Sequence, residues 1–202
     1  MLSHIENVNA KGRVFPYELR SVHTEMNKTN FEIGLTGSKP DLEGIVELQR
    51  LNHMGVVPEE RQEAEGFVTM EYSVEALEKM RGNYQHAVAK VKNKIVGYAL
   101  VMLKECGAEF PALAPMFREL DEAVNKKYFV VAQVCIDRGF RGQGIFEGLM
   151  QILKVQMKSD FELVVTEVSR RNQRSFKAYA RIGFREISEQ GNVEWQVVGL
   201  EW

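Results

Sequence analysis

Two apolar stretches in the second half of the chain have the composition of buried β-strands. Tyr128–Ile136 is rich in β-branched and aromatic residues, and residues 161–168 repeat this pattern. Between them, apolar residues recur at helical spacing, namely Ile145, Phe146, Leu149, Met150, Ile152, Leu153 and Met157. The pattern therefore predicts a strand, a helix and a second strand in succession.

The rest of the chain contains further elements of both kinds. Apolar spacing predicts helices over residues 41–52, 74–80 and 115–124, the second of them capped by Ser73. A hairpin of residues 85–92 and 95–102 is expected to turn at Asn93 and Lys94, and two last strands are predicted over residues 185–188 and 193–200. Residues 57–66 are polar and acidic and predict a loop, whereas residues 16–27 fit either a short helix or a strand. This succession of helices and strands indicates an α/β fold.

The composition is that of one globular domain over residues 1–202, with residues 1–30 as an N-terminal extension of unassigned structure. Hydrophobic residues make up 45% of the chain and the net charge is −2, so neither nucleic acid nor membrane is expected as a partner. No apolar run approaches the roughly 20 residues of a membrane-spanning helix, and no secretory signal is evident. Cys106 and Cys135 predict reduced thiols in a cytoplasmic protein. The four histidines lack the spacing of metal ligands, so no metal is expected.

The strand at Tyr128–Ile136 is joined to the next helix by a turn rich in glycine and arginine. Its residues are Arg138, Gly139, Phe140, Arg141, Gly142, Gln143 and Gly144. The first N–H groups of a helix have no partner within the helix, and the helix dipole places partial positive charge there. The two arginines add formal charge. The turn therefore predicts a site for a pyrophosphate group.

Three phosphate-binding turns can be compared with this one. A P-loop requires Lys followed by Ser or Thr after its glycines, and neither pair is present here. A dinucleotide-binding turn requires a third glycine at Glu147, whereas the next glycine is Gly148. The segment from Arg141 to Phe146 resembles the R-x-x-G-x-G/A turn of the GNAT acetyltransferases at its arginine and at Gly144. It departs from that turn at Phe146, where the family has a small residue.

A second motif follows the strand at residues 161–168. In the GNAT superfamily the corresponding pattern is N-x-x-(A/S)-x-x-x-Y-x-x-x-G-F, and the chain matches it without a gap at Asn172, Ser175, Tyr179, Gly183 and Phe184. Asn172 suits a helix N-cap and Gly183 a helix C-terminus. The two motifs in this order resemble the GNAT superfamily over residues 31–202, most closely over residues 128–187. The resemblance implies a mixed, mostly antiparallel central sheet with helices on both faces.

The resemblance also implies an N-acetyltransferase that moves an acetyl group from acetyl-coenzyme A to a primary amine, by direct attack in a ternary complex. The cofactor contacts that it implies are Val134, Cys135 and Ile136 on the strand edge, Arg141, Gly142, Gln143, Gly144, Ile145 and Phe146 in the turn, and Asn172 and Ser175 beyond it. One or two residues of a basic run are expected at the ribose phosphate; the run comprises Arg170, Arg171, Arg174, Lys177, Arg181 and Arg185.

For the proton transfers, the resemblance implies Tyr179 as the general acid, because a phenol is protonated at neutral pH and can donate to the departing thiolate. Many relatives carry a glutamate on the strand before the glycine turn, where this chain has Gln133 as its only strongly polar residue. Glu167 is expected to act as the general base. Glu71, Glu105 and a chain of water molecules are alternatives.

Phe67, Glu71 and Tyr72 are expected to line a pocket for the acceptor. The surrounding segment is acidic and favours a cationic amine; its acids are Glu59, Glu60, Glu63, Glu65, Glu71, Glu75 and Glu78. The acceptor is expected to be a small-molecule amine or a peptide amine, and a homodimer is compatible with the sequence. Two other functions stay open. One is a catalytically idle GNAT domain that binds coenzyme A as a sensor or interaction module, and the other is a nucleotide-binding α/β protein.

Overall fold

The computed structural model describes residues 7–8, 14–15, 30–187 and 194–202 of the chain. Its strands are β1 (Asn7–Val8), β2 (Val14–Phe15), β3 (Glu32–Leu35), β4 (Ala87–Val91), β5 (Lys94–Met102), β6 (Tyr128–Ile136), β7 (Leu163–Ser169), β8 (Arg185–Glu186) and β9 (Trp195–Glu201). Its α-helices are α1 (Lys39–Asn52), α2 (Glu59–Glu65), α3 (Val74–Met80), α4 (Ala114–Ala123), α5 (Ile145–Met157) and α6 (Gln173–Arg181). The element predicted at residues 16–27 lies outside the described residues, as do residues 188 and 193 at the ends of two predicted strands.

Seven of these strands form one sheet in the order β3-β4-β5-β6-β7-β9-β8. Neighbouring strands in it are antiparallel except for β6 and β7, which run parallel. β1 and β2 pair separately with each other. The prediction of a mixed, mostly antiparallel sheet is therefore confirmed.

Helices cover both faces of the sheet because successive strand side chains point to opposite sides. On one face, which we call the α1 face, helices α1, α3 and α4 pack against the strands through Ile45, Leu77 and Leu120. On the other, which we call the α5 face, helices α5 and α6 pack through Leu149, Leu153 and Tyr179. Along β7, Val165 faces the first cluster and Val164 the second. None of the helices in the described part of the chain is both long and apolar enough to cross a membrane.

The hairpin between β4 and β5 turns one residue earlier than predicted. Val91 pairs with Lys94, which leaves Lys92 and Asn93 as the two turn residues. Both have positive φ, 48° and 68°. A two-residue turn of this kind requires positive φ at both positions, whereas Lys94 belongs to the extended strand. The expectation of Asn93 and Lys94 as the turn is therefore wrong by one position.

The predicted loop at residues 57–66 contains a helix, α2, over Glu59–Glu65. Acidic residues occupy its first turn, where they interact favourably with the positive end of the helix dipole. The Gln62 side chain also donates to the carbonyls of Met54 at 2.9 Å and Val57 at 3.0 Å, which fastens the helix to the preceding connection. Apolar periodicity does not predict this helix, because these two hydrogen bonds come from a polar side chain.

Candidate active site

The turn between β6 and α5 presents a row of backbone N–H groups. Gly142 and Gly144 have φ of 72° and 85°, the left-handed region that favours glycine. A Cβ atom added at either glycine would meet nothing within 4 Å, so the space over the turn is open. Among the described residues, no acceptor bonds the N–H groups of residues 142–147, and the first helical bond runs from Gly148 to the Gly144 carbonyl at 3.1 Å. The turn therefore fits a phosphate group.

Beside this turn, β6 has an open edge. Its parallel pairing with β7 ends at Val130 and Val165, although β6 continues to Ile136. At this point Thr166 Oγ1 donates to the Val131 carbonyl at 2.8 Å. Beyond it the two strands separate, and no described strand pairs with the β7 side of β6. An extended ligand with amide groups can pair with such an edge as an added strand does.

One cleft of about 510 Å³ connects the turn with this open edge. Most of the predicted cofactor residues line it: Val134, Cys135 and Ile136 from β6, Arg141, Gly142, Gly144, Ile145 and Phe146 from the turn and α5, and Asn172 and Ser175 from the start of α6. Gln143 is not among the lining residues, since its side chain turns back to donate to the Gly139 carbonyl at 3.2 Å. The structure thus brings together residues separated by about forty positions.

The Arg141 side chain is engaged with protein groups instead of facing a ligand. Its guanidinium donates to the Ile136 carbonyl at 2.8 Å, the Glu65 carbonyl at 2.6 Å and Asn52 Oδ1 at 3.1 Å. Burial lowers the pKa of this guanidinium, and the nearby Arg174 lowers it further. Arg141 therefore ties the turn to the ends of α1 and α2. Arg141 also lines the cleft, and its predicted contact with the cofactor stays a prediction.

Two further groups of residues line the cleft. Arg174, Lys177 and Arg181 come from one side of α6, and are the members of the predicted basic run that face the cleft. Asn52 ends α1, Glu65 ends α2, and Val68 follows α2. No sequence motif marks this second group, because the contact depends on chain segments that are distant in sequence.

Cys135 lies in the cleft as a free thiol, and its surroundings keep it protonated. Burial raises its pKa to about 12, against an opposing contribution from Arg141. A thiol is a poor nucleophile unless it ionises. Covalent transfer through this cysteine is therefore disfavoured.

A family model described as an acetyltransferase (GNAT) domain matches residues 56–198. The chain belongs to the GNAT acetyltransferases. The fold and the enzyme class expected from the two motifs, an acyl-coenzyme A-dependent acetyltransferase, are thereby confirmed. Among curated proteins, none matches this sequence.

Solved structures share this GNAT fold at low sequence identity. The ribosomal-protein-S18-alanine N-acetyltransferase of Escherichia coli is 13% identical with a TM-score of 0.56, covering 85% of this chain and 93% of that one. A PaiA N-acetyltransferase of Thermoplasma acidophilum, in complex with coenzyme A, is 16% identical with a TM-score of 0.57, covering 84% and 99%. A GNAT acetyltransferase of Staphylococcus aureus Mu50 is 13% identical with a TM-score of 0.58, covering 85% and 98%. At these identities the likeness establishes the fold alone.

In this GNAT domain, Tyr179 is buried on the α5 face instead of lining the cleft. Its ring lies edge-on to Phe146 at 5.0 Å and to Phe184 at 4.9 Å, and it is 4% exposed. Burial raises the pKa of Tyr179, with the Thr166 hydroxyl acting in the opposite direction. Because Phe146 lines the cleft and contacts Tyr179, the phenol is one ring removed from the cleft. Its polar neighbour Thr166 marks the place where β6 and β7 begin to separate.

Glu167 also lies outside the cleft lining, and on the opposite side of β7 from Tyr179. It follows Thr166 and pairs with Val197, whose side chain belongs to the α1 face. Burial and then the negative charge of Glu119 raise the pKa of Glu167 to about 7. The alternatives Glu71 and Glu105 are exposed. The raised pKa of Glu167 suits a group that accepts a proton near neutrality.

The three residues expected in an acceptor pocket do not lie together. Phe67 lines the cleft, Glu71 is exposed, and Tyr72 is 4% exposed in the core, edge-on to Phe110 at 5.8 Å. Tyr72 is held by its backbone N–H, which donates to the buried Gln49 Oε1 at 2.7 Å. The structure therefore assigns Tyr72 to packing, and leaves Phe67 as the member of the set that faces a cavity.

Proposed function

We propose that this protein transfers an acetyl group from acetyl-coenzyme A to a primary amine by direct attack within a ternary complex. The observation that carries the proposal is one cleft in which N–H groups at the start of α5, without an acceptor among the described residues, adjoin the open edge of β6. When bound, acetyl-coenzyme A supplies the activated acetyl thioester. The N–H groups of residues 142–147 would hold its pyrophosphate, and the backbone of residues 134–136 would pair with its amide groups.

The side chains of this chain then have separate tasks. Arg174, Lys177 and Arg181 place positive charge along the cleft for the remaining phosphate of the cofactor. Glu167 accepts a proton from the amine, and Tyr179 donates a proton to the leaving thiolate. Neither side chain lines the cleft, so each proton passes through intervening water.

A catalytically idle domain that binds coenzyme A is the second candidate, and Gln133 is the observation that favours it. Both ends of the Gln133 amide are hydrogen-bonded, its oxygen accepting from Tyr98 Oη at 2.5 Å and its nitrogen donating to the Met70 carbonyl at 2.9 Å. A carboxamide cannot serve as a general base. Gln133 therefore cannot replace the glutamate that many relatives carry on this strand. Glu167 on the neighbouring strand is the reason to prefer the enzyme.

Turnover separates the two candidates, because both predict binding of the cofactor. The protein is incubated with acetyl-coenzyme A and a broad panel of amines, and thiol release and acetylated products are measured. Gly144→Ala and Gly139→Ala are compared for cofactor affinity, since only Gly144 has a positive φ and an open Cβ direction. We expect turnover, and weaker affinity in the Gly144 variant alone. Tight binding without any product would favour the idle domain, and equal affinities would contradict the phosphate site.

A further inference from the structure

A second cavity lies next to the cofactor cleft. It has a volume of about 330 Å³ and is lined by Glu59, Gln62, Phe67, Arg170, Arg171 and Gln173. Phe67 lines both cavities, so a molecule in the second one would be one side chain away from the cleft. The backbone of this segment is fixed, because Val68 N–H donates to the Asn52 carbonyl at 3.0 Å and the Val68 carbonyl accepts from Met54 at 2.9 Å.

One wall of this cavity offers a hydrogen-bond acceptor that has no partner among the residues the structure describes. Gln62 is 8% exposed, and its Nε2 atom donates to the carbonyls of Met54 and Val57. These two bonds use both amide hydrogens and fix which way the amide faces. Within the described part of the chain, no donor bonds Gln62 Oε1. This oxygen is thus available to an N–H group in the cavity, and Glu59 adds negative charge on the same helix.

The other wall is basic. Arg170 and Arg171 follow the end of β7, and neither forms an ion pair with a described carboxylate. Arg170 donates to Gln196 Oε1 at 3.3 Å, whereas the Arg171 guanidinium has no partner within the described residues. Guanidinium groups bind carboxylates through paired, charge-assisted hydrogen bonds. The cavity therefore differs from the acidic surface of residues 59–78, which by itself favours a purely cationic acceptor.

We infer that the second cavity binds the acceptor of the reaction, and that this acceptor carries a carboxylate as well as an amine, as a free amino acid or short peptide does. The inference rests on the proposed function, since it names the substrate class of that site. Gln62 and Glu59 receive the amino group and Arg170 and Arg171 receive the carboxylate. Phe67 lines both cavities, so the amine reaches the thioester past this side chain. A cavity of this volume is at the small end of the range for ligand sites, which is about 300–1,000 Å³.

The test uses acceptors that differ in one group. Each amino acid is compared with its carboxamide and with its decarboxylated amine as acceptor for the full-length protein with acetyl-coenzyme A. For each amino acid that is acetylated, we expect kcat/KM to be at least about 10-fold higher than for its carboxamide or its decarboxylated amine. A charge-assisted hydrogen bond to the carboxylate implies a difference of this size. Arg171→Gln should lower kcat/KM for the amino acid by about 10- to 100-fold and change the carboxamide less than about 2-fold.

Arg118→Gln is the matched control, because Arg118 is exposed on α4 and lines neither cavity. It should leave both acceptors unchanged. If carboxamides are acetylated as fast as the amino acids, or polyamines faster, the inference is overturned. The proposed acetyl transfer then stays intact. If no amine is acetylated, the proposed function fails. Calorimetric titration of amino acids and carboxamides into the coenzyme A-saturated protein then decides the inference, which is overturned by equal binding or by none.

Discussion

The Tyr179 ring is held between Phe146 and Phe184, so a change to phenylalanine removes its hydroxyl and keeps its packing. If this hydroxyl donates the proton to the leaving thiolate, Tyr179→Phe should lower kcat by about 100-fold, as is typical for loss of a general acid. Affinity for acetyl-coenzyme A should stay within about 2-fold, since the ring remains. Steady-state kinetics and direct titration of the cofactor measure the two quantities separately.

Tyr84→Phe is the control for this change. The Tyr84 hydroxyl donates to Asp160 at 3.1 Å, and Tyr84 lines neither cavity. Removal of this hydroxyl should therefore leave kcat unchanged. A normal kcat in the Tyr179→Phe protein would contradict the role of this hydroxyl as general acid. Tyr179 would then serve only to pack the core.

Glu167 leads to a prediction about pH. Burial and the nearby Glu119 raise its pKa to about 7, and a general base acts in its deprotonated form. The rate with the wild-type protein should therefore rise with pH through about 7, with kcat/KM at pH 6 about 10-fold below its plateau. Glu167→Gln should lower the plateau and remove this limb of the profile. Glu71→Gln, at an exposed position, should keep it, and a Glu167 variant with an unchanged profile would point to water as the base.

At the scale of elements, the two motifs predicted the strands and helices around the cleft, including the Asn172 cap, whose Oδ1 accepts from Ser175 N–H at 3.1 Å. Local signals suffice there, because caps, glycine turns and apolar periodicity act within a few residues. α2 escaped prediction because its stabilising contacts run through polar side chains. The role of the Arg141 side chain escaped as well, since Asn52 and Glu65 are far from it in sequence.

Arg141 should support cofactor binding by holding the glycine turn in place and not only by its charge. Two of its three hydrogen bonds join the turn to α1 and α2 and the third reaches the end of β6, a set that a lysine cannot reproduce with one ammonium group. Arg141→Lys should therefore raise the Kd for acetyl-coenzyme A by about 10-fold, corresponding to about 1.4 kcal/mol. Isothermal titration measures this value. Combination with Asn52→Ala should give less than the sum of the two single effects, because the partners share one bond.

Arg138→Lys is the matched control in the same turn. Arg138 is largely exposed and pairs with Glu65 at 3.2 Å, and exposed ion pairs contribute about 0–1 kcal/mol. This variant should bind the cofactor almost normally. Equal weakening in both lysine variants, or additive effects of Arg141→Lys and Asn52→Ala, would contradict the positioning role.

At the scale of the whole molecule, the sequence led to the fold and the enzyme class but not to the second cavity. That cavity joins α2 to the end of β7, and the two segments are about a hundred residues apart. The contact follows from packing of the complete sheet, which no local pattern encodes. The raised pKa of Glu167 has the same kind of origin, because it comes from burial and from Glu119, about fifty positions away.

His86 links the stability of the whole domain to pH. It is fully buried, accepts from Val101 N–H at 3.0 Å and lies 2.9 Å from the Leu77 carbonyl through Nε2, which fits a neutral ring that donates there. Burial lowers its pKa to about 3, whereas an unfolded histidine has a pKa of about 6.5. Between these values the unfolded chain binds a proton that the folded chain does not. Stability from this group is therefore complete above about pH 6.5 and is lost as the pH falls towards 3.

At pH 5 the loss from His86 should be about 2 kcal/mol, from about 1.4 kcal/mol per pH unit below 6.5. His86→Gln keeps one donor and one acceptor at this position but cannot take up a proton. Its free energy of unfolding should be lower at pH 7.5, and the deficit relative to wild type should shrink by about 2 kcal/mol at pH 5. Urea unfolding at both pH values measures this difference, which cancels the opposite contribution of Glu167 present in both proteins. His53→Gln should show no such change, and a constant deficit at the two pH values would mean that His86 ionises in the folded protein.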